Sequence, residues 1–241
     1  MPFLFGMFLF LSAAPFGRAE ENQPDPKRIR ISAIENEQTH AIARHVLEEA
    51  YSRLGYEVRF DDLPGRRALE WADSGLTDGD VARIQGTENS FPNLLRVTVP
   101  VIHFKGVAFS KTVDRPIREW EDLRGLRIGV VRGIRYSTQG TKGMSPFFAN
   151  DMTHLFTILD KGRIEVAVAV LRAGQIEIAR NFKESGIRVV GSPLYSAPLY
   201  HFVHAGRRNL VPKLEAVLSE MTASGEMECL WQEKFHALIH P

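Results

Sequence analysis

Apolar positions along this chain recur with strand spacing and helix spacing in turn, several times over. Residues 29–34 alternate apolar and polar, which predicts a strand. From Gln38 to Leu54, the residues Ile42, Val46, Leu47, Tyr51 and Leu54 fall at helical steps, and Gly55 supplies a stop. Residues 56–60 alternate again. Pro64 can open a helix that carries Ala68, Leu69, Trp71 and Ala72 as far as Gly75. A short strand follows, so the first third reads β-α-β-α-β and predicts a parallel sheet with helices on its faces.

One unit occurs twice. A helix stops at Gly75, an acid follows at Asp78, and an alanine-containing strand runs through Asp80, Val81, Ala82 and Arg83 to Ile84. Later a helix stops at Gly162, an acid follows at Glu165, and the strand runs to Val170. Two copies of a helix-to-strand unit predict two similar α/β lobes, and a cleft between lobes is where a small molecule binds.

Between the copies, residues 93–110 form a β-rich run that Pro100 and Gly106 are expected to break, as suits chain crossing between lobes. A short helix is expected over 119–123 and a strand over 126–131, ended by Gly133. Asp151 is placed to N-cap a helix over 152–161. After the second unit come a helix over 173–184 and a strand over 187–190. Residues 193–198 form a two-proline connector that includes Tyr195, read as hinge packing, and a return strand follows over 200–204. Helices close the chain at 211–224 and around Leu230, Trp231 and Phe235. The expected organisation is discontinuous: lobe one is 27–104 with 200–241, and lobe two is 105–199.

Composition narrows the function. The chain has 241 residues, 30 Lys and Arg against 29 Asp and Glu, and a net charge of +1. Interspersed, balanced charge leaves no footprint for nucleic acid. Residues 3–14 are almost wholly apolar and too short to span a bilayer. Small residues at Gly17 and Ala19 suit a signal peptidase. A secretory leader cut after Ala19, then a flexible stretch over 20–26, predicts a periplasmic protein, although no Lys or Arg precedes the apolar run. The single cysteine, Cys229, excludes an intrachain disulfide and is expected to be a buried, inert thiol beside Leu230 and Trp231. The eight histidines form no ligand pattern, because His201 and His204 fall on opposite strand faces. No metal or cofactor is expected.

These features together resemble the amino-acid-type, family-three periplasmic solute-binding proteins. The resemblance rests on the leader, the order of elements, the paired Gly-x-x-acid units, and the segment Glu119-Trp-Glu-Asp-Leu-Arg-Gly125 ahead of Leu126-Arg-Ile-Gly-Val-Val131. The stretch from Asp78 to Ile84 is similar to a divergent subgroup. The resemblance implies a type II, two-lobed α/β fold with two hinge crossings and a ligand cleft. It also implies a monomer that delivers its solute to a membrane permease or, less often, a receptor. The family's amino-acid clamps are displaced here. Ser90 stands where a carboxylate-gripping arginine belongs, Val170 where an ammonium-binding aspartate belongs, and Gly133-Ile134-Arg135 where a Gly-Thr-Thr loop belongs. An ordinary α-amino acid is therefore not the expected ligand, since a buried, unpaired ion is costly.

Other residues are candidates for the cleft. Arg83 lies at the C-terminal edge of its strand, suited to a bidentate anion contact or, equally, to an ion pair with Asp80. Glu35 follows the first strand and can accept from a ligand amine or favour a helix N-terminus. Of Arg66 and Arg67, one is expected to face the cleft. Arg132, Arg135 and Tyr136 lie in a lobe-two loop suited to an anion, and Arg172 follows Val170. This set predicts a small polar, anionic or polyoxygenated solute. An enzyme on the same scaffold, dehydratase-like and drawing on Glu35, Asp80 and Glu88, is the alternative. Sensing through a membrane receptor is a third.

Overall fold

The computed structural model describes residues 27–240. The expected leader and flexible stretch, residues 1–26, lie outside the described residues. No described helix is long and apolar enough to cross a membrane. The first β-α-β-α-β run is β1 (Lys27–Ile34), α1 (Gln38–Arg53), β2 (Tyr56–Leu63), α2 (Gly65–Asp73) and β3 (Gly79–Arg83). A long strand, β4 (Leu94–Ser110), leads to β5 (Ile128–Val131), α3 (Arg135–Gly140), β6 (Phe147–Ala149) and α4 (Met152–Asp160). Then come β7 (Val166–Val170), α5 (Leu171–Asn181), β8 (Arg188–Val189) and β9 (Tyr195–His204), and finally α6 (Val211–Ala223) and α7 (Glu226–Ile239).

The strands order as β2-β1-β3-β9-β4-β7-β5-β6, with β8 beside β4. Within each lobe the strands from β-α-β units pair in parallel: β1 with β2 and β3, and β5 with β6 and β7. The antiparallel pair β4–β9 joins the two halves, from Leu94 opposite His204 to Gly106 opposite Tyr195. Pro100 and Gly106 were expected to break this run, but β4 is continuous through both. The register with β9 shifts on both sides of Pro100, since a residue without an N–H cannot hold the ladder in step.

Separate cores fill the two halves. Ile31, Val46, Tyr51, Val101, Val203 and Leu214 belong to one cluster, which draws on α1, α6 and α7. Phe109, Leu155, Phe156 and Ala167 form a second, and Ile117, Leu123, Val130 and Val168 a third. No element was expected over 132–150, yet α3 and β6 lie there. Three glycines, Gly133, Gly140 and Gly143, interrupt the apolar periodicity that would have marked them. Cys229 is exposed, which corrects the buried reading. Consecutive helical residues face different ways, so packing of Leu230 and Trp231 says little about their neighbour.

The doubled unit has one physical design. Gly75 and Gly162 both adopt a left-handed φ, at 77° and 67°. In each, the glycine N–H bonds three residues back (to Ala72, to Leu159) and the next N–H five residues back (Leu76 to Trp71, Arg163 to Ile158). That is a Schellman helix stop. The acid that follows then pins the neighbouring strand. Asp78 accepts from the Arg30 N–H at 2.8 Å while its own N–H donates to the Arg30 carbonyl at 2.6 Å. Glu165 does the same with Arg127, at 2.9 and 2.7 Å. The repeated acids are strand clamps.

A buried polar network ties α1 to β3 and β9. His201 Nδ1–H donates to the Asp80 carbonyl at 2.8 Å, and its Nε2 accepts from the Tyr51 hydroxyl at 2.8 Å. His40 accepts from the Ile34 N–H at 3.0 Å and donates to the Ala82 carbonyl at 3.0 Å. Both rings are neutral in this arrangement, because each presents one lone pair. Tyr51→Phe strands the His201 acceptor in the core. We expect it to cost about 1–3 kcal/mol of stability by urea unfolding, and a midpoint equal to wild type would refute the network's role.

Candidate functional site

A cavity of about 400 Å³ opens between the two halves. Its lobe-one wall is Asn36, Glu37 and Gln38, at the exit of β1 and the start of α1. Its lobe-two wall is Val131, Ile134 and Tyr136 after β5, Asp151 to Thr153 at the start of α4, and Val168 to Arg180 along β7 and α5. The C-terminal edges of β1, β5 and β7 thus meet there, as in open α/β sheets generally.

Two of the polar wall residues are helix caps. Glu37 accepts from the His40 N–H at 2.7 Å and the Thr39 hydroxyl at 2.9 Å. Asp151 accepts from the His154 N–H at 2.7 Å, as the sequence predicts for an N-cap. α5 differs: its N-cap is Val170, and no side chain caps it. The first-turn N–H groups of a helix have no intrahelical acceptor, and at this end of α5, which brings Val170 and Ala173 to the cavity wall, no side chain supplies one.

The structure sorts the candidate residues. Arg83 takes its ion-pair alternative: Nε lies 2.8 Å from Asp80 Oδ1, one terminal amine 2.9 Å from Oδ2, and the same amine donates to the Gly65 carbonyl at 3.1 Å. Asp80 is wholly buried beneath it, and neither residue lines the cavity. Neither arginine of the Arg66–Arg67 pair faces the cleft: both are exposed and outside the cavity lining, and Arg66, 90 % exposed, binds Glu70 at 2.8 Å. Arg172 turns away, its guanidinium 4.3 Å from the centre of the Phe235 ring on α7. It lines a small pocket of about 100 Å³ with His103, Glu228 and Trp231. Glu35 is exposed in an adjoining recess with Asn36, Arg44 and Asp62. Arg132 and Arg135 are exposed beside Gly133, Thr138, Gln139 and Phe148 on lobe two. Of all these, Tyr136 alone lines the main cavity.

The polar wall residues that sequence reasoning missed include Glu37, Gln38, Glu177 and Arg180. Glu177 accepts from the Asn181 amide at 2.9 Å, and Arg180 Nε donates to the Leu238 carbonyl at 3.0 Å. Glu177 and Arg180 lie one turn apart on α5, so helical spacing from Ala173 and Ile176 was the available signal. Through Arg180–Leu238, Arg172–Phe235 and the Trp231 indole, which donates to the hinge carbonyl of Val101 at 2.9 Å, α7 braces the seam between the lobes.

The same layout recurs in solved structures. An ancestral arginine-binding protein bound to arginine superposes with a TM-score of 0.66 at 17 % identity, over 86 % of this chain and 98 % of that one. The L-cystine solute receptor of Neisseria gonorrhoeae, unliganded and open, gives 0.70 at 14 % identity over 89 % and 95 %. This chain has the two-lobed periplasmic-binding-protein fold. A histidine kinase sensor domain with similarity to periplasmic binding proteins also matches, with a TM-score of 0.65 at 15 % identity over 86 % and 95 %. No family model matches the sequence. An uncharacterized protein of Shewanella oneidensis is 28 % identical over 152 residues, covering 56 % of this chain and 55 % of that protein. The chain therefore spans about half the length of the curated relative it matches. In this fold the cavity bounded by Glu37, Tyr136, Val170 and Glu177 lies between the lobes.

Proposed function

We propose that this protein is a non-enzymatic solute-binding protein, exported to the periplasm after cleavage at Ala19. In this reading lobe one spans 27–104 and 200–241, and lobe two spans 105–199. The lobes close on one small polar solute by bending β4 and β9. A monomer would deliver that solute to a membrane permease. The observation that carries the reading is the interlobe cavity, walled by chain from both lobes and backed by an apolar floor of Val131, Val168, Val170 and Ile176. The ion pair of Asp80 with Arg83 and that of Glu88 with Arg96, at 3.3 Å, withdraw two of the three acids an enzyme reading draws on. The sensor-domain neighbour supports a receptor as the alternative destination.

The solute's charge follows from the remaining donors. Arg83, Arg66 and Arg172 are committed elsewhere, Arg132 and Arg135 line a separate recess on lobe two, and Arg180 is the arginine in the cavity wall. An anionic or polyoxygenated solute would turn its oxygens to Arg180 and its hydroxyl or amine donors to Glu37, Asp151 and Glu177. Thermal unfolding of the purified protein against a panel of hydroxy acids, sugar acids, dicarboxylates and amines tests this. A bound solute at a hundred times its Kd should stabilise by about 2.7 kcal/mol, and silence across the panel would count against solute binding.

A further inference from the structure

The C-terminal helix α7 packs into lobe one and reaches across to lobe two. Met227 is buried, and Leu230, Trp231, Phe235 and Leu238 pack against the lobe-one core. Their helical spacing makes one apolar stripe, which seats α7 on α1 and α6. The same helix also packs on α5, which follows β7 in lobe two. Contacts step along α7 away from the hinge. The Trp231 indole holds the near end at the Val101 carbonyl of β4, at 2.9 Å. About one turn on, the Phe235 ring carries the Arg172 guanidinium from the first turn of α5. Beyond it, the Leu238 carbonyl accepts from Arg180 Nε in the third turn of α5, at 3.0 Å. The last carbonyls of a helix have no intrahelical donor, and a cation suits that negative end. Arg180 therefore caps α7 from the opposite lobe, and it also lines the interlobe cavity.

We infer that α7 is a strap that holds the lobes together over the empty cleft and so sets how readily the hinge opens. The inference rests on the hinge bending proposed above. When β4 and β9 bend to open the cavity, α5 swings away from lobe one. The Trp231 contact, at the hinge itself, stays. The Arg172 and Arg180 contacts, farther out along α7, part. Each is an exposed or half-buried cation against one ring or one carbonyl, and contacts of that kind are individually weak. The strap therefore biases opening without preventing it. It favours the closed form in the empty protein, and a solute that needs that form binds more tightly for it.

Small-angle X-ray scattering of the unliganded protein reads the hinge directly. Arg172→Met with Arg180→Met removes the contacts from the lobe-two side, and Phe235→Leu removes the ring from the lobe-one side. Both proteins should show a larger radius of gyration than wild type. Calorimetry against the panel of hydroxy acids, sugar acids, dicarboxylates and amines then uses Arg172→Met alone, because Arg172 lies outside the cavity lining. That variant should bind the panel's best solute about fivefold more weakly than wild type does, as the closed form loses population. A radius of gyration equal to wild type in either variant would overturn the inference, whether or not a solute is found. So would a larger radius with undiminished affinity, since opening would then be uncoupled from binding. A wild type silent across the panel sinks the solute-binding reading alone, and the scattering still decides the strap.

Discussion

Arg83→Ala is expected to destabilise the protein by about 3–5 kcal/mol, the usual cost of leaving one partner of a buried ion pair alone. Asp80 is 0 % exposed, and Arg83 covers both of its carboxylate oxygens. Without the guanidinium, the carboxylate keeps only the Ser32 hydroxyl, 3.3 Å away. Urea unfolding measures the loss. Arg83→Met with Asp80→Asn should recover most of it, because removing both charges removes the desolvation problem. Solute affinity separates this role from the ligand contact that the sequence suggested. Arg83 lies outside the cavity lining, so the folded fraction of Arg83→Ala should bind solute as wild type does. A fully stable variant with binding abolished would reverse the assignment.

Stability is also expected to fall as pH drops from about 6.5 to about 4. Burial lowers the pKa of His201 to about 4, against the opposing pull of the Asp80 backbone and charge. His40 is lowered as well, chiefly by burial, with Asp80 and Glu37 raising it and Arg83 lowering it further. Both folded-state values lie below the ordinary histidine value. The stabilisation is therefore complete above the unfolded pKa, where both states are neutral. It is lost as pH falls, because the unfolded chain takes up protons that the native core refuses. For His201 the window from 6.5 down to about 4 corresponds to a loss of about 3 kcal/mol. Urea midpoints at about pH 7.5, 5.5 and 4.5, from about one unit above the ordinary histidine value to about two below it, measure it. Equal midpoints would mean that His201 is charged in the native state. Asp122 and Glu215, whose pKa values are lowered by hydrogen bonds from Arg118 and Glu119 and from Thr98, act only below the carboxylate range. They add to acid sensitivity beneath this window.

Much of the fold was legible because it depends on local chemistry. Strand alternation, helical spacing and left-handed glycines act over a few residues, and Gly75 and Gly162 stop their helices as their neighbours require. The order of elements then left few ways to assemble two β-α-β sheets. Tyr136 was also within reach, since a residue in the loop after β5 lies at a sheet edge whichever way it points. Arg83 was not. Its spacing from Asp80 allowed an ion pair or a ligand contact equally, and the burial of Asp80 in β3, between β1 and β9, decided between them.

The sequence by itself determined the two-lobed α/β architecture and the doubled helix-to-strand unit, both properties of residue type at short spacing. Only the tertiary structure decided which charges are free. It gave Arg83 to Asp80, Arg66 to Glu70 and Arg172 to the Phe235 ring. The reason is range: a charged side chain takes the nearest partner in space, and in this fold that partner is set by how strands and helices far apart in the chain are brought together.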